Sequence, residues 1–398
     1  EESPSARSIP PIIPAHEHPV DGTIVPPIAT SERESAPPLP TGVITPEPVP
    51  EAQKPQPIPM MRLIMPIVMV IAALSMVGLM FMMGGQLNPM TLVFPLMMLM
   101  SVFMMFSPPP GENTDEIRRT YLRHLGLVRE VARQNAGEQR AHQLYNYPDP
   151  KELGSRIGTT RMWERSDGDM DTMTVRLGLG IADLCTPIDV GDPGVAEDLE
   201  PVCAVSLRQA VNTVSFLPDM PIVVQLLAFD ALALSEETPA GDAPPEDARS
   251  RDAALALARA IICQLALCHG PDTVGIAAHG TGLAWAKWLP HTNPTTLANA
   301  PYTVLVVDGT VPTSQLEGLL SQREWTIVIT VNNSTPVLSE IVIEDGLSFT
   351  VGERLIVHVE DADEELGVPD GLTEAEALLF ARKLAPFSRP SADPRDSH

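Results

Sequence analysis

The residue that could do the most chemistry is Asp308, which ends the apolar run Tyr302–Asp308 in "YTVLVVDGT". An acid at the tip of such a strand can hold a magnesium ion that bridges nucleotide phosphates. That role needs a phosphate cradle, G-x-x-x-x-G-K-[ST], opening a helix so that backbone N–H groups and a lysine meet the phosphates. The natural place for it is the connection 230–251, "DALALSEETPAGDAPPEDARSR". Its one glycine is Gly241, it has no lysine, and it carries Glu236, Glu237, Asp242, Glu246 and Asp247. Carboxylates in that position repel phosphate. A second glycine pair, Gly280 and Gly282 in "AHGTGLAWAK", has the wrong spacing and a misplaced Lys287. Asp308 is followed by Gly309, and an Asp before Gly at a strand end reads as a turn-former. The expectation is a vestigial Asp308 with no nucleotide-binding, catalytic or metal-binding residue in the chain.

Other reactive side chains are scattered. His16 and His18 form a lone H-x-H in a Pro-rich tail, which is weak as a metal site. Cys185, Cys203, Cys263 and Cys268 show no C-x-x-C pair and read as free thiols. His269, His279 and His291 have no obvious nucleophile beside them. Trp285 and Trp288, in "WAKWLPH", sit at helical i, i+3 spacing. They read as packing residues or as a patch for a partner.

The elements that must carry these residues differ sharply along the 398 positions. The net charge of −25 argues against binding a nucleic-acid backbone, which needs clustered Lys and Arg. Residues 1–59 are rich in Pro, Ser and Glu and are expected to be a disordered cytoplasmic tail. Of 18 methionines, 14 fall between Met60 and Met105. There, 61–83 and 90–106 are apolar on every face and joined by "GGQLNP". The first is long enough for a hydrocarbon core of about 30 Å, and the pair reads as a transmembrane hairpin over 60–107. Arg62 before it and Arg118, Arg119 and Arg123 after it place both termini in the cytoplasm.

Residues 113–147 read as one long stalk helix with an apolar stripe of Ile117, Tyr121, Leu125, Val128 and Val131, broken by His124. Such a stripe packs either on a partner or on the chain's own domain. From 150 to 390 the pattern alternates. Strands are expected at 171–180, 221–229, 273–278, 302–308 and 325–331, with helices at 247–270, 282–289 and 313–320 among them. Short strands follow near 341–359. This pattern predicts an α/β domain with a mainly parallel, doubly wound, Rossmann-like sheet. Thr373 with Glu376 caps a terminal amphipathic helix at 372–387, and 391–398 reads as a tail or linker.

The stretches "YLRHL", "MWERSDGDMDTMTVRLGLG", "DLEPVC", "LARAIICQLALCHGPD", "WAKWLPHTNPT", "LVVDG" and "LTEAEALLFARKLAPF" follow one another in an order that resembles the N-terminal part of the EccC family. These are FtsK/SpoIIIE-type membrane ATPases of type VII (ESX) secretion systems. The likeness covers roughly 60–390, with "W-x-R…R-x-G" and "WAKWLPH" its more specific pieces. It implies a membrane hairpin, a stalk and a degenerate P-loop-ATPase-like domain in the inner (plasma) membrane and cytoplasm. It also implies that ATP- and Mg-dependent motor domains follow beyond Pro390, outside this chain. Implied partners are EccB, EccD and EccE subunits, membrane lipid and further copies, up to hexamers. Small helical WXG-type substrates are met only through the missing domains. The other readings are a nucleotide hydrolase working around Asp308, or an FtsK-like DNA translocase.

Overall fold

The computed structural model describes residues 33–52, 60–82, 93, 96–97, 100, 114–192, 195–236, 252–332, 346–359 and 362–387. The chain divides into two compact units. One comprises residues up to 39, 138–182 and 217–398; the other comprises 40–137 and 183–216.

The first unit is built on a nine-stranded sheet of order β2-β1-β9-β8-β7-β3-β6-β5-β4. Its strands are β1 (Thr174–Asp183), β2 (Phe216–Gln225), β3 (Ala231–Glu236), β4 (Val274–His279), β5 (Tyr302–Asp308), β6 (Ile327–Val331), β7 (Gly346–Val351), β8 (Leu355–Val359) and β9 (Ala362–Pro369). The run β7-β3-β6-β5-β4 is parallel throughout. β7, β8, β9 and β1 pair antiparallel. The fold is thus α/β with a mixed sheet, and the alternating pattern predicts its parallel run.

Side-chain alternation assigns the two faces. Leu232, Leu234, Val304, Val306, Ile327 and Ile329 are buried with the helix Ala253–Cys268 and the terminal helix Glu374–Leu384. Leu305, Val307 and Val328 point the other way, against Leu316 of the helix Thr313–Gln322. At about 25 cal/mol per Å² of apolar surface, burial on both faces is the main stabilising term.

Several expectations shift. The connection expected over 230–251 opens with a strand, because "ALALSE" alternates with period two and pairs with both β6 and β7. Residues 237–251, which hold most of its carboxylates, lie outside the described residues. The strand read at 221–229 spans 216–225 instead and lies at the sheet edge beside β1. The helix read at 282–289 is a 3-10 run, Thr281–Trp288. In the tail taken as disordered, 33–52 has a defined course, while 1–32 and 53–59 lie outside the described residues.

We number the longer helices α1 (Met60–Met82), α2 (Thr114–Asn146), α3 (Pro201–Val214), α4 (Ala253–Cys268), α5 (Thr313–Gln322) and α6 (Glu374–Leu384). α1 has 23 residues, about 34 Å at 1.5 Å per residue. Ile64, Met65, Ile67, Val68, Ile71, Leu74 and Leu79 are exposed along it. Counted over described residues alone, no helix is long and apolar enough to cross a membrane. Of the second expected span, 90–106, only Val93, Leu96, Met97 and Met100 are among the described residues. The two-span hairpin is therefore not an element of the described structure.

In the second unit, Tyr121, Leu125, Cys203 and Leu207 form a small core with Val49, Val190 and Val211. α3, which carries Cys203 and Leu207, follows Glu200. That side chain caps the helix by accepting from Cys203 N at 2.7 Å, with Pro201 at the first helical position. Residues 44 and 51 bridge to 188 and 199.

Candidate functional site

Asp308 is buried at 2% exposure, and its oxygens are engaged by neighbouring loops. Oδ2 accepts from Gly282 N at 2.8 Å. Oδ1 accepts from Thr310 N at 2.8 Å and from the Thr310 hydroxyl. The Thr310 hydroxyl also accepts from Thr281 N at 3.0 Å. The carboxylate thus staples the turn after β4 to the turn after β5. Gly280 stands at φ +125°, and a Cβ there would lie 2.0 Å from Asp308 Cγ. The close glycine turn in "AHGTG" makes room for this staple.

The tryptophans and the helix stripe also receive positions. Trp285 is 2% exposed and belongs to the main core. Trp288 is partly buried against it, with the Arg382 guanidinium 5.3 Å from its ring. Tyr121, Leu125 and Val128 are buried, and the first two meet α3 of the same chain. Ile117 is half-buried and Val131 is 49% exposed. The stripe's centre is therefore covered by an element, α3, for which the sequence analysis provides no helix. Its capping glutamate and Pro201 are the signals that could have found it.

The most constrained polar cluster was read from sequence only as part of a motif. Trp163, Arg165, Arg176 and Gly178 form the "W-x-R…R-x-G" pieces. Arg165 donates from Nη1 to Thr174 O at 2.7 Å and from Nη2 to Asn146 O at 3.0 Å. Arg176 donates from Nη1 to Tyr147 O at 3.2 Å and from Nη2 to Asp370 Oδ1 at 2.9 Å. Both arginines are nearly fully buried, at 3% and 2% exposure. They hold the carbonyls of Asn146 and Tyr147, where α2 ends. A helix C-terminus carries partial negative charge and unsatisfied carbonyls, so cations placed there are stabilising. Asp171 stands 3.0 Å from Arg165 Nε, and Asp370 2.8 Å from Arg176 Nε, without the line of a directed hydrogen bond. Burial pushes the Asp370 carboxyl up, partly offset by Arg176. Burial also raises Asp171, but the hydrogen bond from Arg33 and the charge of Arg165 outweigh it and bring it down.

The rest of the motif fixes the clasp from behind. Trp163, in a left-handed conformation at φ 60°, donates from Nε1 to Ala266 O at 3.1 Å. Its ring stands edge-on to His291. His269 Nε2 accepts from Met173 N at 3.1 Å, and His291 Nε2 donates to His269 O at 2.8 Å. Burial lowers both imidazoles, His269 to about 3 and His291 to about 4, so both are neutral. They work as hydrogen-bonding spacers. A charged residue at a buried position of an otherwise apolar strand, Arg176 in "TVRLGLG", is the sequence signal for this cluster.

The chain is 28% identical over 364 residues to ESX-4 secretion system protein EccC4 of Mycobacterium tuberculosis, covering 88% of this chain and 28% of that protein. It is 29% identical over 418 residues to ESX secretion system protein EccC of Thermomonospora curvata, covering 92% and 30%. The chain is EccC-like. A third relative, ESX-3 secretion system protein EccC3 of M. tuberculosis, is 31% identical over 275 residues, covering 66% and 20%. The EccC-like chain thus spans less than a third of the length of these relatives. No family model matches it. Among the described residues no group of three or more His, Cys, Asp or Glu could hold a metal ion.

Proposed function

We propose that this chain is the anchoring and coupling portion of a type VII secretion motor subunit. In this reading α1 belongs to a membrane hairpin in the inner membrane, α2 is the stalk, and the sheet unit passes movement between the stalk and ATPase domains elsewhere in the protein. The observation that carries it is the clasp: two buried arginines hold the last carbonyls of α2 against β1 and Asp370. A buried hold of that kind on a helix end can pass force on, whereas a solvated loop would dissipate it. The exposed apolar surface of α1 supports the anchor, since water-facing Ile, Leu and Met along most of a helix need a nonpolar environment. The kinship with ESX secretion proteins supports partners of the EccB, EccD and EccE type, self-association and WXG-type substrates. Asp308 serves the fold as a turn staple in this reading, and the portion hydrolyses no nucleotide.

The test is Arg165→Lys with Arg176→Lys in the full-length protein. Lysine keeps charge but loses the forked donors. The expected result is export of substrate falling at least tenfold while membrane insertion and ATP hydrolysis by the whole protein persist. Unchanged export would overturn the coupling role. A full-length protein that is washed from membranes by alkaline carbonate would overturn the anchor.

A further inference from the structure

Residues 33–39, Arg-Glu-Ser-Ala-Pro-Pro-Leu, form a segment without regular secondary structure that lies against the end of α2. Arg33 makes a forked contact with Asp171, Nη1 to Oδ1 at 2.9 Å and Nη2 to Oδ2 at 2.6 Å. Asp169 adds a more distant charge at 3.8 Å. Pro37 O accepts from His142 Nδ1 at 2.6 Å, and His142 Nε2 faces Asn146 Nδ2 at 3.0 Å. The tautomer with its proton on Nδ1 satisfies both contacts. Beside the segment lies a cavity of about 530 Å³, bordered by Arg33, His142, Asn146, Tyr147 and Asp171.

We propose that residues 33–39 are a latch bound in cis: a segment of the chain's own N-terminal region that closes on the α2 clasp through Arg33 and can release without opening the sheet. Two features carry this. Asp171 is shared, since the same carboxylate meets Arg33 of the latch and Arg165 of the clasp, and Arg165 holds Asn146 O. Releasing Arg33 therefore changes the charge balance at the end of α2. Second, the hold is polar. Ala36 and Pro37 are only half-buried, Leu39 is 39% exposed, and the Arg33 side chain is 33% exposed. A segment with no buried apolar anchor and a partly solvated ion pair opens locally at low cost and is weakened by salt. The latch acts on the clasp itself, and its test holds whether or not the clasp transmits force.

The experiment is hydrogen exchange read by mass spectrometry on the full chain, comparing wild type, Arg33→Ala and Arg33→Lys at low and high salt. In wild type at low salt, the amides of 143–147, at the end of α2, are expected to be protected. Arg33→Ala should speed exchange there by roughly tenfold, leaving β3 to β6 unchanged. Arg33→Lys should fall between, because the fork is lost and the charge kept. High salt should move wild type towards Arg33→Ala at 143–147. Unaltered exchange at 143–147 in Arg33→Ala would overturn the latch. Loss of protection across β3 to β6 in Arg33→Ala would also overturn it, because release would then not be local.

Discussion

Arg176 and Asp370 lie 194 positions apart in the chain, yet the guanidinium Nη2 donates to the carboxylate at 2.9 Å, with Nε 2.8 Å from its other oxygen. The pair is nearly dry, at 2% and 11% side-chain exposure. It ties β1 to the chain just beyond β9, and through Tyr147 O it reaches the end of α2. Removing one partner leaves the other charged and buried. Arg176→Met alone is expected to destabilise the chain by about 3–5 kcal/mol in urea denaturation. Arg176→Met with Asp370→Leu should recover much of that loss. Equal losses in the single and double variants would show that the pair is not coupled.

His269 and His291 give the chain a pH dependence whose sign follows from burial. Their pKa values in the folded chain are about 3 and about 4, below the ordinary 6.5. The unfolded chain therefore binds protons that the folded chain refuses. Stability is full above about 6.5 and falls as pH drops towards 4. The expected slope is on the order of 1–3 kcal/mol per pH unit between pH 4.5 and 6. His291→Gln should reduce it by about half, and a flat profile in wild type over that window would contradict the burial.

The Asp308 staple predicts a stability effect. Asp308→Ala leaves the N–H groups of Gly282 and Thr310 without an acceptor and should cost about 1–3 kcal/mol. Gly280→Ala should be at least as severe, because the added Cβ meets the Asp308 carboxylate at a φ that L-residues avoid. Both are read from urea melts of the full chain. A stable Asp308→Ala chain that loses a measured nucleotide hydrolysis would revive the catalytic reading of this residue.

Thiol reactivity should separate three of the four cysteines. Cys203 and Cys263 are fully buried. Burial and the Glu200 carboxylate push the Cys203 thiol up to about 11, and burial drives Cys263 well above its ordinary range. Cys185 is half-exposed. Titration with an aromatic disulfide at pH 8 should modify Cys185 first and reach Cys203 and Cys263 only after denaturant. Fast modification of Cys203 in the native chain would mean that the α2–α3 core opens.

The small core under α2 makes the last prediction. Leu125 is 1% exposed and packs with Tyr121, Cys203 and Leu207. Leu125→Ala should cost about 2–5 kcal/mol of local stability, seen as faster hydrogen exchange in α2 and α3. The neighbouring exposed Leu127→Ala should change little.

Much of the candidate site was legible as residue types and little of it as geometry. The alternation after residue 150 foretold the parallel strands, and Thr373 with Glu376 foretold the capping box at the terminal helix, which the structure shows in full. Asp308 before Gly309 was readable as a turn residue, but its use of Gly282 N was not, because that donor lies 26 positions away. The two arginines of the clasp could be quoted as a motif without their partners being known.

The sequence by itself determined periodicity: an apolar stripe at three- and four-residue spacing, strands of period two, and a Met-rich apolar run at 60–105. These patterns are local, since they follow from the helical and pleated repeats of the backbone. Only the tertiary structure decided what each face meets. It set α3 on the stripe of α2, laid 33–39 against residues 142–147, and closed Arg176 on Asp370. Contacts of that kind depend on which distant segments the chain brings together, and a buried charge is stable only where that closure supplies its counter-charge.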